Sequence, residues 1–273
     1  MIIFYIALLF SITGDLLTYF LSGLYTNWVY FWFPIIGFIG FFLAFFILLV
    51  LYMIIRYAPV NLNKEVTKID KCALWLVVQS CQMLLLIFGA RIKTSDERII
   101  PHDEKYLVVS NHISGFDHIA ILAHLCQGPL LSISKKEVEH YFIVGKIMHK
   151  AGFIPLDRRD PFDAMRKIRT AANYISSDEA SISISPEGTR SKDERVLPFH
   201  AGSFKIAQRA RCPILVISLR NTDKIKYRCF RKITTVHIDF LKVISKEEYA
   251  NKNTIEIAES VRNIIIDDLE KHK

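Results

Sequence analysis

Charge of either sign is almost missing from the first fifth of this chain. Residues 1–55 contain no Lys, Arg or Glu and one carboxylate, Asp15, so nearly all of the 35 basic and 27 acidic residues lie beyond. Paired cysteines are missing too: Cys72, Cys81, Cys126, Cys212 and Cys229 are odd in number and form no C-x-x-C. That argues against a disulfide framework or a redox motif and for reduced thiols in a cytoplasmic domain, mostly in apolar surroundings. No internal repeat, low-complexity linker or nucleic-acid motif appears, so the net charge of +8 does not point to nucleic acid.

Long apolar runs are what the N-terminal stretch does have. "WVYFWFPIIGFIGFFLAFFILLVLYMII", Trp28 to Ile55, exceeds the roughly 20 helical residues that cross a hydrocarbon core. It is read as a transmembrane helix. In the preceding run, "MIIFYIALLFSITGDLLTYFL", Asp15 interrupts, and a central carboxylate costs about 3 kcal/mol on insertion scales. That segment either spans or dips in beside the second.

With no cationic start and no small-residue cleavage site, the pair is expected to be a retained anchor rather than a cleaved signal peptide. Arg56, Lys64, Lys68 and Lys71 follow the span while no Lys or Arg precedes it, which puts the following domain in the cytoplasm, at the cell membrane if the source is bacterial. The same cations attract anionic lipid at around 1 kcal/mol each. "CALWLVVQSCQMLLLIF", residues 72–88, carries Gln79, Ser80 and Gln82 and reads as a helix packed on the anchor or lying in the interface. The expected organisation is an anchor of one or two spans over 1–56, a linker and this helix over 57–90, and an α/β domain over 91–273.

Beyond residue 91, short β-rich runs alternate with helical patterns, the mark of an α/β fold with a largely parallel sheet flanked by helices. Strands are expected at "YLVVS" (106–110), "LLSIS" (130–134), "FIPLD" (153–157), "SISIS" (181–185), "PILVISL" (213–219) and "TTVHIDFLKVI" (234–244). Asp160 before Pro161 has the chemistry of a helix start, and Thr254 to Lys271 repeats apolar residues at helical spacing.

His112 directly follows the first of these strands, where reaction sites gather in open α/β sheets. Ser114 and Asp117 have the spacing of a capping box, which predicts a helix from Ser114 with Asp117 on its first turn, where it can meet His112. An imidazole oriented by a carboxylate is a general base near neutral pH. Two other readings of the stretch stay open: an Asp that only caps a helix beside an incidental His, and a metal site of His112, Asp117 and His118 in which Ser114 stands where a second His belongs.

"SPEGTRS", 185–191, follows another strand with a turn freed by Gly188 and with Arg190, a planar fork suited to phosphate oxygens. Arg158 and Arg159 end "GFIPLDRR", and Lys135 and Lys136 end a further strand, so cations collect at the edge that carries His112.

In this order and spacing, "NHISGFD", "GFIPLDR", "PEGTRS" and "PILVISL" resemble the four blocks of the glycerolipid acyltransferase family, above all its 1-acylglycerol-3-phosphate acyltransferases, over roughly residues 97–221. The resemblance implies transfer of a fatty acyl group from an acyl thioester, on acyl carrier protein or coenzyme A, to lysophosphatidic acid. It implies His112 as base, Asp117 as its orienter, Glu187, Gly188, Thr189 and Arg190 in the acceptor block, and Arg158 with Lys135 at the phosphate.

The chain departs from the family at Ser185, where Phe is usual, at Ser218, where Pro is common, and at His200, where Lys is frequent. Neither cofactor nor metal is expected, since a thiolate leaves readily. Amides near Gly188 or at a helix start at Ser114 are the candidate oxyanion donors. The partners implied are the thioester donor, the lysolipid acceptor and membrane lipids.

Overall fold

The computed structural model describes residues 2–22, 33–66, 68–157, 160–191, 195–228 and 232–272, in two compact units, residues 1–64 and 65–273. In the first unit, α1 (Ile2–Ser22) runs unbroken through Asp15, and α2 spans Phe33–Tyr57. Ser11 and Thr18 donate their hydroxyls to carbonyls one turn back, at 2.7 and 2.8 Å, so they sit in an apolar helix with their polarity satisfied.

α1 packs on α2, with Phe10 6.0 Å from the rings of Phe41 and Phe45. Asp15 has its carboxylate against the Cα of Gly37, where no side chain intervenes, which is how a carboxylate fits on this helix. Among the described residues one helix is long and apolar enough to cross a membrane, Ile35–Tyr57, with mean hydropathy 3.0.

The second unit is built on a sheet of seven described strands: β1 (Ala90–Ser95), β2 (Leu107–Ser110), β3 (Leu130–Lys135), β4 (Ile154–Leu156), β5 (Ser181–Ile184), β6 (Ile214–Arg220) and β7 (Thr234–Ile244). Their order is β1-β7-β6-β2-β5-β3-β4, and every neighbouring pair is parallel except β6 and β7. Leu107, Val108 and Val109, and Ile214 through Ile217, are fully buried, as central strands of a parallel sheet covered on both faces must be.

β1 is a strand that sequence patterning did not indicate. "ARIKTS" alternates half-buried and exposed positions, because it is an edge strand paired only with β7.

The helices of this unit are α3 (Lys71–Ile87), α4 (Asp117–His124), α5 (Phe142–Lys150), α6 (Pro161–Ser176), α7 (Lys205–Ala210), α8 (Lys224–Arg228), α9 (Lys246–Tyr249) and α10 (Thr254–Lys271). Asp160 caps α6 by accepting from the amides of Phe162 and Asp163, with Pro161 in the first turn. The compact unit begins at residue 65 and so takes in α3, which packs on α4 and α5 and buries Ala73, Leu76, Cys81 and Leu85.

The glutamines that made this segment too polar to span a membrane have local partners. Gln79 Nε2 donates to Gln82 Oε1, and Gln82 Nε2 donates to the carbonyl of Ala123 at the end of α4. Burial pushes the thiols of Cys81 and Cys212 up to about 12, while Cys126 is exposed and Cys72 half-buried. Cys229 lies outside the described residues.

The helix expected from Ser114 begins instead at Asp117. Ser114 Oγ accepts from the amide of Phe116 and so holds a turn ahead of the helix. The Asp117 carboxylate reaches back to the Ser114 amide, one half of a capping box, while Ser114 Oγ does not accept the Asp117 amide that would close it.

Candidate active site

β6, β2 and β5 are adjacent and parallel, so their carboxyl ends open on one edge, and each delivers part of one cluster. From β2 come Asn111 and His112. Asn111 is buried and clasps the last turn of β6, its Nδ2 donating to the carbonyl of Leu219 at 3.0 Å and its Oδ1 accepting from the Leu219 amide at 2.8 Å. That pair fixes where the chain leaves β2.

His112 Nδ1 lies 2.8 Å from Asp117 Oδ2, with the His side chain 14% exposed and the Asp side chain fully buried. The same Oδ2 accepts the amides of Ile113 at 2.8 Å and Ser114 at 2.9 Å. Three donors on one oxygen hold the carboxylate in place, and with Nδ1 facing it Nε2 is the nitrogen left for chemistry. The amides of Ile113 and Ser114 are therefore committed to Asp117 and are not available as oxyanion donors.

β5 delivers Glu187. Its side chain is buried, with Oε1 accepting the amide of His112 at 2.7 Å and Oε2 the amide of Leu197 at 3.0 Å. Burial pushes this carboxyl above the usual range, and the two amides oppose that shift. Gly188 follows with φ +71°, a conformation that favours glycine, and its amide bonds the carbonyl of Ser185 at 3.3 Å.

The loop then lies against the His112 loop. The Ser191 amide donates to the carbonyl of His112 at 2.9 Å, and a methyl group placed on Gly115 would lie 3.8 Å from Arg190 Nη2. Arg190 and Thr189 are exposed.

The structure thus brings together His112, Asp117, Glu187, Gly188 and Arg190. Lys135 ends β3, which β5 separates from β2, and its ammonium lies 2.8 Å from Glu137. Arg158 lies outside the described residues.

His118, weighed as a metal ligand, has Nδ1 2.8 Å from Ser132 Oγ and Nε2 3.4 Å from Ser185 Oγ, with its ring centroid 5.8 Å from that of His112. Ser185 in turn lies 3.1 Å from Ser110 Oγ. A polar chain of Ser110, Ser185, His118 and Ser132 therefore runs beneath the dyad. Among the described residues no three His, Cys, Asp or Glu side chains gather as a metal site.

Sequence reasoning missed Asn111 as a strand clasp and this serine chain. Each depends on which strands are neighbours, which local patterning does not state.

Residues 91–220 match the family model described as Acyltransferase. A mouse 1-acyl-sn-glycerol-3-phosphate acyltransferase alpha is 27% identical over 66% of this chain and 64% of its own length. A Limnanthes douglasii 1-acyl-sn-glycerol-3-phosphate acyltransferase is 31% identical over 51% and 49%, and a Saccharomyces cerevisiae one 27% over 69% and 63%. The matches thus span about half to just under two thirds of these relatives. The crystal structure of the 1-acyl-sn-glycerophosphate acyltransferase PlsC from Thermotoga maritima superposes with a TM-score of 0.60 over 81% of this chain and 86% of that one, at 20% identity, so the two share a fold.

Proposed function

We propose, from the premise that this chain carries an acyltransferase-family domain over residues 91–220, that it moves a fatty acyl group from an acyl thioester to the free hydroxyl of 1-acylglycerol 3-phosphate, making phosphatidic acid. The observation that carries this reading is the His112–Asp117 pair, 2.8 Å apart, at the carboxyl end of β2. The names of the similar proteins support the choice of acceptor.

His112 Nε2 takes the proton of the acceptor hydroxyl as that oxygen attacks the thioester carbonyl. The C–O bond forms, the C–S bond breaks, and the proton passes from His112 to the leaving thiolate. Asp117 keeps Nδ1 protonated and stabilises the imidazolium while it exists. No covalent intermediate on the chain is required.

Purified protein supplied with a panel of lysolipids and with either acyl-acyl carrier protein or acyl-coenzyme A should form phosphatidic acid from lysophosphatidic acid. Faster turnover of a lysolipid without a terminal phosphate would reassign the acceptor.

Arg190 is proposed to hold the acceptor phosphate, since its guanidinium lies over the Gly115 turn beside the dyad and is exposed to an incoming ligand. Arg190→Ala should raise the apparent KM for lysophosphatidic acid about 10-fold or more, the scale of one charge-assisted hydrogen bond, and leave that for the thioester within about twofold. Equal effects on both substrates would remove the assignment.

The second unit is proposed to face the cytoplasm, because Arg56 sits in the last turn of α2, Lys64, Lys68 and Lys71 follow it, and no Lys or Arg precedes it. With the native cysteines replaced, a cysteine at exposed Glu259 should resist an impermeant thiol reagent applied to intact cells and react after lysis. Labelling from outside would reverse the orientation.

A further inference from the structure

Thr222 is a residue that nothing above has used. It lies just past β6, in the turn before α8, and is fully buried. Its Oγ1 donates a short hydrogen bond to Asp117 Oδ1. The three other donors to that carboxylate, His112 Nδ1 and the amides of Ile113 and Ser114, all fall on Oδ2. Thr222 is the one donor on Oδ1 among the described residues.

The two oxygens therefore have different jobs. Rotation about the Cβ–Cγ bond carries both oxygens, so the three bonds on Oδ2 resist it from one side of the carboxylate. A bond on Oδ1, from the turn after β6, resists it from the other and stiffens the plane. The plane matters because the lone pair that receives His112 Nδ1–H lies in it, and the imidazole follows the lone pair.

The turn that presents Thr222 is anchored without help from its hydroxyl. Asn111 holds Leu219 on both its amide and its carbonyl. Arg220 pairs with Asp239 of β7 at 2.7 Å. Asn221, at φ +67°, donates from Nδ2 to the carbonyl of Thr235 and accepts Lys224 Nζ on Oδ1 at 2.6 Å. A turn tied at three points and aimed at one carboxylate oxygen is built to position that oxygen.

We infer that Thr222 is a positioning residue of the acyl transfer: its hydroxyl fixes the plane of the Asp117 carboxylate and, through it, the His112 imidazole. The inference rests on the reading of His112 as the base.

Thr222→Val keeps the shape and removes the donor, whereas Thr222→Ser keeps the donor and removes the methyl. With lysophosphatidic acid and an acyl thioester, the Val variant should lose about 10–100-fold in kcat, the usual scale for a residue supporting a catalytic group, with both KM values within about twofold of wild type. The Ser variant should return to within about threefold of wild type, the scale of a lost packing contact rather than a lost donor.

A Val variant that keeps more than half of wild-type kcat overturns the inference, as does a Ser variant as slow as the Val one. If Val does not yield folded protein, Thr222→Ala against Thr222→Ser makes the same comparison. His112→Ala measured alongside separates the two claims. An active His112→Ala sinks the base, whereas an inactive one beside an active Thr222→Val sinks only the positioning role.

Discussion

His112→Ala should lower phosphatidic acid formation by about 10²–10⁴-fold, the range that general base catalysis supplies, while the protein still folds. The side chain removed is largely buried, but the packing lost is small. The main-chain amide of residue 112 still donates to Glu187 and its carbonyl still accepts Ser191, so the loop keeps both ties.

What disappears is the group that takes the hydroxyl proton and later hands it to the thiolate. Because Asp117 acts through His112, the double variant His112→Ala/Asp117→Asn should be little slower than His112→Ala alone. Initial rates on purified protein, with melting curves beside them, test both statements. Turnover within tenfold of wild type in His112→Ala would end the assignment, and additive losses in the double variant would give Asp117 a separate role.

Glu187→Ala should be strongly destabilising. The carboxylate accepts two amides, those of His112 and Leu197, and its loss leaves both donors unpaired in a buried place at about 1–3 kcal/mol each. In a unit of this size even about 2 kcal/mol moves the melting temperature by roughly 4–8 °C. Turnover should fall as well, because the His112 amide is then free to drift.

The support behind Glu187 is long. Arg262 of α10 donates to the carbonyls of Val196 at 2.6 Å and Leu197 at 3.0 Å, so the C-terminal helix holds the segment that presents the second amide. Family resemblance put Glu187 in the acceptor-binding block, whereas its geometry favours a brace between two loops. The measurements separate these. A brace lowers melting temperature and kcat together, and a ligand contact raises the acceptor KM at an unchanged melting temperature.

Much of this was legible from residue order. The apolar run "PILVISL" became β6, because a strand buried on both faces leaves an uninterrupted apolar signature, and "TTVHIDFLKVI", rich in β-branched residues, became the partly exposed β7. The Asp160-Pro161 helix start and the full extent of α10 were visible because caps and periodicity are local.

β1 was not visible, since an edge strand exposed at every second position reads as a polar linker. Ser114 and Asp117 imitated a capping box because the same spacing serves two geometries. Only the loop that turns Asp117 toward His112 distinguishes them. Thr222 was silent in sequence, as a threonine after a strand has no meaning until β6 is known to lie beside β2.

The pairing of β1 with β7 also sets a timetable. β1 is the first strand the ribosome makes after the apolar helices, yet its partner is the last strand of the sheet, so nearly the whole second unit must emerge before that edge can close. Until then, β6 shows one bare edge and β1 has no partner at all. A chain cut just before Thr234 would retain His112, Asp117, Glu187 and Thr222 and still lack the strand that joins β1 to the rest of the sheet.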